Sequence, residues 1–379
     1  MNFELSEEQI AFQSMAYKFA IKEFSPIAKE CDREEKYPRE IWQKACAAGL
    51  VGVVIPEEYG GPGGGWLETA LITEQLSRVD LGLGLVATAA TFGSENILNF
   101  GSEEQKKKYL PLLPLGQAIF AGAYTEPNAG SDVAGTTTRA IKDGTDYVIN
   151  GSKTFITNGT ICDYMVVLCV TNPDAPKKTL RHSLILVEAT SPGLTRYKLE
   201  GKMGIRASDT GSLSFEDVRV PQANLIGQEG HGFPQLMHFF DMTRIMVASQ
   251  AVGLAQGALD LALKYVKERK TFGVPLAANQ GIQFQLAEMA TRVELARTIT
   301  YKAAWKADNG QLDASLNAMA KYYSGETAVW VTDKALQMHG GYGYMDEYDI
   351  QRFYRDAKIL EIYEGAKEIE KITIAKRLF

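Results

Sequence analysis

Apolar positions recur every three or four residues through the first part of the chain, the spacing of one helical face. The first such run opens at Ser6-Glu7-Glu8-Gln9, where a hydroxyl followed three residues later by an amide resembles a capping box. It continues through Phe24 and stops at Pro26. The same start signal returns at Ser102-Glu103-Glu104-Gln105, and that helix ends in the proline-punctuated YLPLLPLG. Residues 1–118 are therefore expected to form an N-terminal α-helical domain. From about 119 the texture changes to short, β-branched apolar runs separated by turns. DYMVVLCVT, HSLILVEA and SLSFEDVRV read as strands, and Asn150-Gly151 between two such runs predicts a hairpin turn. A middle β-domain, barrel or sandwich, is expected over 119–228, with GQEGHG at 227–232 as a flexible hinge. Helical periodicity then returns over 233–268, about 276–307 and about 311–339. A helix of about 36 residues spans roughly 54 Å and needs partners along its length, so 229–379 is expected to form a C-terminal four-helix bundle. The expected class is α+β multidomain, with ligand clefts between the domains.

Composition agrees with this organisation. At 379 residues the chain is too long for one simple core, and 45% hydrophobic with 23% charged residues is ordinary for a globular protein. A formal net charge of −6 argues against general nucleic-acid binding, which needs a basic face; a local basic groove for phosphates is compatible with it. Cys31, Cys46, Cys162 and Cys169 lack CxxC spacing and read as buried thiols in a reducing compartment. His182, His231, His238 and His339 show no ligand spacing, so no metal site is expected. The opening MNFELSEEQI shows no targeting pattern, and no stretch approaches eighteen uninterrupted apolar residues. The expectation is a protein without a membrane span, in the cytoplasm by default.

Several short stretches carry candidate chemistry, each beside a plainer reading. VGVVIPEEYGGPGGGW invites a dinucleotide-binding reading, but Trp66 stands where a third glycine is needed and Pro56 and Pro62 interrupt the tight turn. A mobile surface loop is expected there. In AYTEPNAGSD, Thr125, Ser131 and nearby backbone N–H groups can bind a polar heterocycle or a phosphate, or simply satisfy their own turn. In FITNG, Phe155 can lie flat on a planar ring with Thr157 at its edge, or both can be strand core. In ERKTFG, Arg269, Thr271 and Gly273 suit a pyrophosphate clasp and equally a helix C-cap. QMHGGYGY is a glycine-rich break that lets a nucleotide approach the backbone, or a bare turn. EIYEGAKEIE places Glu364 beside a glycine at a helix junction with few polar neighbours.

Taken together, YTEPNAGSD, FITNG, KMGIRASDT, FEDVRVP, GLAQGALD, YVKERKTFG, QFQLAEMA, QMHGGYGY and RDAKILEIYEG run in an order that resembles the acyl-CoA dehydrogenase family over nearly the whole chain. The resemblance implies FAD held between the β-domain and the C-terminal bundle. Tyr124, Thr125 and neighbouring backbone would meet the pyrimidine side of the flavin, with Phe155 and Thr157 flanking the ring. Relatives often have Trp in place of Phe155, so stacking survives without an indole N–H. Arg269 and Phe272 would reach the FAD diphosphate and adenosine across a subunit contact, with Gln280, Gln337 and Gly341 along the same tail. Ser131 is implied in cofactor and CoA contacts alike, and Thr243 and Arg244 match positions that meet CoA.

Glu364 matches the catalytic base, flanked at the substrate by Tyr363 and Gly365. An α-C–H beside a thioester is a poor acid, so its base must be desolvated to be strong enough. Gly365 would let the backbone bend so that the Glu364 N–H points at the thioester carbonyl, sharing an oxyanion hole with a flavin ribityl hydroxyl. Some relatives carry the base just before the arginine matching Arg244; Thr243 stands there in this chain and cannot serve. The family usually has Thr at the position of Ala366 and frequently Gln at that of Glu368, so one contact to the FAD tail is missing or remade. A homotetramer, a dimer of dimers, and electron-transfer flavoprotein as the electron acceptor follow from the same resemblance.

The acyl pocket is expected along GLGLVATAATFGSE, residues 82–95, where small residues suit a short, branched or alicyclic acyl group. Glutaryl-specific relatives carry an arginine in this segment, and this chain has none, which disfavours a dicarboxyl substrate. Thr91 and Glu95 are polar departures that either set specificity or serve as solvated or capping groups. An acyl-CoA oxidase, a flavin monooxygenase or a non-enzymatic flavoprotein on this fold are the alternatives.

Overall fold

The computed structural model describes residues 4–379. The N-terminal part is helical: α1 (Glu7–Glu23), α2 (Ala28–Glu34), α3 (Arg39–Ala47), α4 (Trp66–Val79), α5 (Leu81–Thr88), α6 (Ser94–Phe100) and α7 (Glu103–Tyr109). Both expected capping boxes form. Ser6 Oγ accepts from Gln9 N at 3.1 Å while Gln9 Oε1 accepts from Ser6 N at 3.0 Å. Ser102 and Gln105 repeat the pair at 3.2 and 3.0 Å. The segment from 51 to 65 is not a mobile surface loop. Val51, Ile55 and Tyr59 are buried, and a Cβ on Gly61 would lie 2.1 Å from the Ile55 carbonyl oxygen.

The middle part is one eight-stranded sheet: β1 (Phe120–Ala123), β2 (Arg139–Asp143), β3 (Asp146–Thr157), β4 (Tyr164–Val170), β5 (His182–Glu188), β6 (Leu194–Lys198), β7 (Thr210–Pro221) and β8 (Leu225–Ile226). The order is β6-β7-β3-β2-β4-β5-β8, with β1 parallel to β4. Among the described residues, β2 and β4 are joined in the ladder by the single Arg139–Val170 pairing. Asn150-Gly151 is not the hairpin turn. It lies inside β3, where the register to β7 shifts between Ile149 and Gly151, so the pair marks a bulge. The turn falls at Gly144-Thr145, between the paired Asp143 and Asp146.

The C-terminal part contains α8 (Gly232–Glu268), the small hairpin β9 (Lys270–Thr271) and β10 (Val274–Pro275), α9 (Gln280–Asp308), α10 (Ala314–His339), α11 (Ile350–Ala357) and α12 (Lys367–Ala375). GQEGHG is packed rather than a free hinge: Gly230 N donates to Ser183 Oγ at 2.9 Å, and a Cβ on Gly232 would lie 2.6 Å from Ser183 backbone. Gly273 does not cap α8. It follows Phe272 in the two-residue turn of the β9–β10 hairpin, and both residues take the positive φ such turns require, 52° and 85°. The helical segments 81–100 and 232–268 are long and apolar enough to cross a membrane by composition, but 89% and 78% of their apolar windows are buried inside the protein. They are core helices.

Close backbone contact sets α8 against α4. A Cβ on Gly253 would lie 2.1 Å from Glu74 O, and one on Gly257 would lie 2.0 Å from Arg78 O. A buried ion pair then joins the terminal helical parts. Arg352 Nε meets Asp80 Oδ2 at 2.8 Å, with 5% and 4% of the two side chains exposed. Asp80 Oδ1 also caps α5 by accepting from Leu83 N at 2.8 Å. Removing one partner of such a pair strands a buried charge. Arg352→Met is expected to lower unfolding free energy by about 3–5 kcal/mol, read by urea denaturation.

Candidate active site

The chain between the Lys358–Glu361 3-10 turn and α12 bends sharply at Glu364, which has φ 54°, and Gly365, which has φ 106°. A non-glycine residue at positive φ is uncommon and is held there only by its surroundings. Three contacts hold this one. Tyr363 Oη donates to Gln250 Oε1 on α8 at 2.5 Å. Thr243 Oγ1, also on α8, donates to Glu364 Oε2 at 2.8 Å. Lys321 Nζ, on α10, donates to the Gly365 carbonyl oxygen. Gly365 is doubly required, because a Cβ there would lie 1.9 Å from Glu370 Oε1.

Burial pushes the Glu364 carboxyl up to about 7, while Thr243, Lys321 and Arg244 oppose the shift and Glu370 adds to it. The Glu364 N–H makes no hydrogen bond among the described residues. Arg244 is anchored on two sides, with Nε contacting Glu370 Oε1 at 3.0 Å and Nη1 paired with Asp241. The Thr243 hydroxyl likewise serves Glu364.

A cavity of about 30 Å³ lies between α4, α8 and the end of α5, with Trp66, Thr88, Thr91, Glu95 and Met246 among its walls. Thr88, Thr91 and Glu95 alone from the 82–95 segment line it, and Trp66 and Met246 narrow it. Thr91 and Glu95 are neither solvated nor exposed, at 8% and 4% accessibility. Thr91 Oγ1 donates to Glu95 Oε1 at 3.1 Å, and Gly93 N donates to Oε2 at 3.0 Å. Burial pushes Glu95 up to about 7, and the charge of Glu364 adds to that shift.

The edge of the sheet presents a different surface. The register of β3 against β7 shifts between Lys153 and Ile156, and Phe155 turns outward at φ 58° with 71% of its surface exposed. Thr157 and Thr125 are half-buried beside it in sequence and pairing; the Thr125 carbonyl accepts from Thr154 N at 3.0 Å. Ser131 is exposed. The Tyr124 side chain is not available to a cofactor. Its ring packs on Phe92, Phe239 and Phe240, and Asn96 Nδ2 donates to its hydroxyl at 2.9 Å. Sequence reasoning missed the pair beneath this loop. Lys153 Nζ, fully buried, donates to Tyr124 O at 3.0 Å and to Glu126 Oε1 at 2.8 Å. Glu126 also accepts from Thr137 N and Thr138 N, at 2.8 and 2.9 Å. Burial pushes Glu126 up, but Lys153 and Thr138 bring it down to about 2.

A second cavity of about 460 Å³ is lined by Arg269, Thr271, His339, Gly340, Gly341 and Tyr342, among others. Arg269 stacks on Tyr342 at 5.4 Å, and Tyr265 stacks on His339 at 4.2 Å. A guanidinium, a hydroxyl and aromatic walls fit a phosphate-bearing aromatic group. Gln280, Gln337 and Phe272 are exposed, Phe272 completely so at its hairpin tip. Neither Phe155 nor Thr157 lines this cavity.

Three family models match in succession: the acyl-CoA dehydrogenase N-terminal domain over 6–117, the middle domain over 121–218 and the C-terminal domain over 230–379. The acryloyl-CoA reductase (NADH) of Anaerotignum propionicum is 44% identical, the match covering 100% of this chain and 96% of that protein. Among solved structures, butyryl-CoA dehydrogenase from Megasphaera elsdenii superposes with a TM-score of 0.96 at 39% identity, covering 100% of both chains. A chain solved in work on the electron transferring flavoprotein of Acidaminococcus fermentans superposes at 0.97 with 40% identity, again covering 100% of both.

Gly365→Ala must move either its own backbone or Glu370. It is expected to cost about 1–3 kcal/mol of stability by chemical denaturation, and to reduce activity.

Proposed function

The chain belongs to the acyl-CoA dehydrogenase family, an oxidoreductase family, and on that premise we propose that it dehydrogenates a short acyl-CoA across the α,β bond with FAD as cofactor. The observation that carries this reading is Glu364, a desolvated carboxyl held in a strained turn near the cavity containing Glu95. Ionised, it takes the α-proton. Thr243 keeps Oε2 in a hydrogen bond and leaves Oε1 for the substrate. The unpaired Glu364 N–H is the donor this chain offers to the thioester oxygen, where negative charge grows as the proton leaves. FAD, when bound, accepts the β-hydrogen as hydride.

Phe155, Thr157 and Thr125 would hold the flavin ring, and Lys153 and Glu126 brace the loop behind it. Arg269, Thr271 and Gly341 would hold the phosphate and adenosine end. Arg269 and Phe272 would reach the cofactor of a second subunit in a homotetramer, a reading supported by the full exposure of Phe272 at the tip of the β9–β10 hairpin. Electron-transfer flavoprotein is the proposed electron acceptor and the cytoplasm the proposed location.

The likeness to butyryl-CoA dehydrogenase and the lack of an arginine along 82–95 support a short or compact acyl group: butyryl, a branched chain or a small ring. Glu95, with no cation among the described residues that line its cavity, disfavours an anionic acyl tail. The relative named as a reductase favours one second reading, the same chemistry run toward acryloyl-CoA reduction, with protonated Glu364 returning a proton to the α-carbon.

Anaerobic titration with acyl-CoAs of graded length and branching is expected to bleach the flavin band most readily with short or cyclic groups. NADH oxidation on adding acryloyl-CoA would favour the reductase reading instead, and rapid O₂ consumption an oxidase. Glu364→Gln is expected to keep FAD and lose at least about 10²-fold in the rate of flavin reduction. In the parent enzyme that rate, measured by stopped flow as kcat/KM, should rise with pH through about 7 as Glu364 loses its proton. Near-parental turnover by Glu364→Gln removes Glu364 from the mechanism.

A further inference from the structure

Lys321 lies in the middle of α10 with none of its surface exposed. A buried ammonium is costly unless its surroundings compensate it. Its single hydrogen bond reaches the Gly365 carbonyl, one peptide beyond Glu364. Glu370 on α12, also with no exposure, lies against the same glycine and places both carboxylate oxygens near Arg244 Nε, at 3.0 and 2.9 Å. The Glu364 turn is therefore clasped from behind by a charge cluster built from three helices, none of which the turn belongs to.

We propose that Lys321 is a positioning residue for the catalytic base, fixing the Glu364 turn through the Gly365 carbonyl and setting the charge balance behind it. This rests on the reading of Glu364 as the base. The groups facing Glu364 are Lys321 from α10, Thr243 and Arg244 from α8, Glu370 from α12 and, through its charge, Glu95 from α6; Tyr363 and Tyr124 stand nearby. Lys321 and Arg244 favour the ionised carboxylate and Glu370 opposes it. Without the ammonium, Glu364 would keep its proton to higher pH, and the Gly365 carbonyl would lose its donor. A residue that merely fills space on α10 would do neither.

The test is the pH profile of flavin reduction by butyryl-CoA in the FAD-loaded enzyme, by stopped flow. Lys321→Met fills nearly the same volume without charge. It is expected to move the ascending limb up by roughly 1–3 units and to slow reduction at pH 7 by about tenfold for each unit. Lys321→Arg should restore much of both. Glu370→Gln removes the opposing charge, so its limb should move down. An unchanged limb in Lys321→Met, or limbs that move the same way in Lys321→Met and Glu370→Gln, overturns the proposal. If Lys321→Met fails to fold, Glu370→Gln decides, and an unmoved limb there is fatal. Glu364→Gln separates the two claims. A slow, pH-independent rate in that variant upholds the base whatever Lys321 does; a parental rate and limb removes the base, and this inference with it.

Discussion

Taking water away from one carboxylate is the constraint on which this molecule's centre depends. A solvated glutamate is too weak a base for a thioester α-C–H, and a buried one is stronger at a cost in stability. Glu364 is kept in that condition by a turn that α8, α10 and α12 hold from three sides. The burial that raises its basicity also makes its exact surroundings matter, because charges interact more strongly where water is excluded. A single buried ammonium or carboxylate at this place shifts the balance of the site.

The surrounding fold serves to make that environment reproducible. Glycines at 253 and 257 let α8 touch α4 backbone to backbone, and Met246 of α8 shares a cavity wall with Trp66 of α4. The Arg352–Asp80 pair ties α11 to the start of α5, and α5 leads directly into Thr91 and Glu95. The cavity beside Glu95 is thus an interface between the two helical parts, walled by both.

On the sheet side, a bulge in β3 turns an aromatic ring outward while a buried Lys153–Glu126 pair braces the adjoining loop. The phosphate-suited cavity lies elsewhere, against the β9–β10 hairpin.

The sequence by itself determined the succession of helical, sheet and helical parts, because periodicity and capping are local properties. Ser6 and Ser102 start helices where their hydroxyl and amide spacing requires. The family was legible too, since motifs in order along the whole chain resemble it and all three of its domain models match. Turns were less legible where tertiary packing overrode local preference. Asn150-Gly151 became a bulge because β3 continues its pairing with β7, and Gly273 entered a hairpin because α8 ends four residues earlier than a C-cap reading needs. Tertiary structure alone decided which polar groups meet. Nothing in the run AMAKYY says that Lys321 faces Gly365, and nothing in GSEN says that Glu95 is buried toward Glu364. Those pairings join residues tens to hundreds of positions apart, and only the packing of helices against one another brings them within reach of each other's charge.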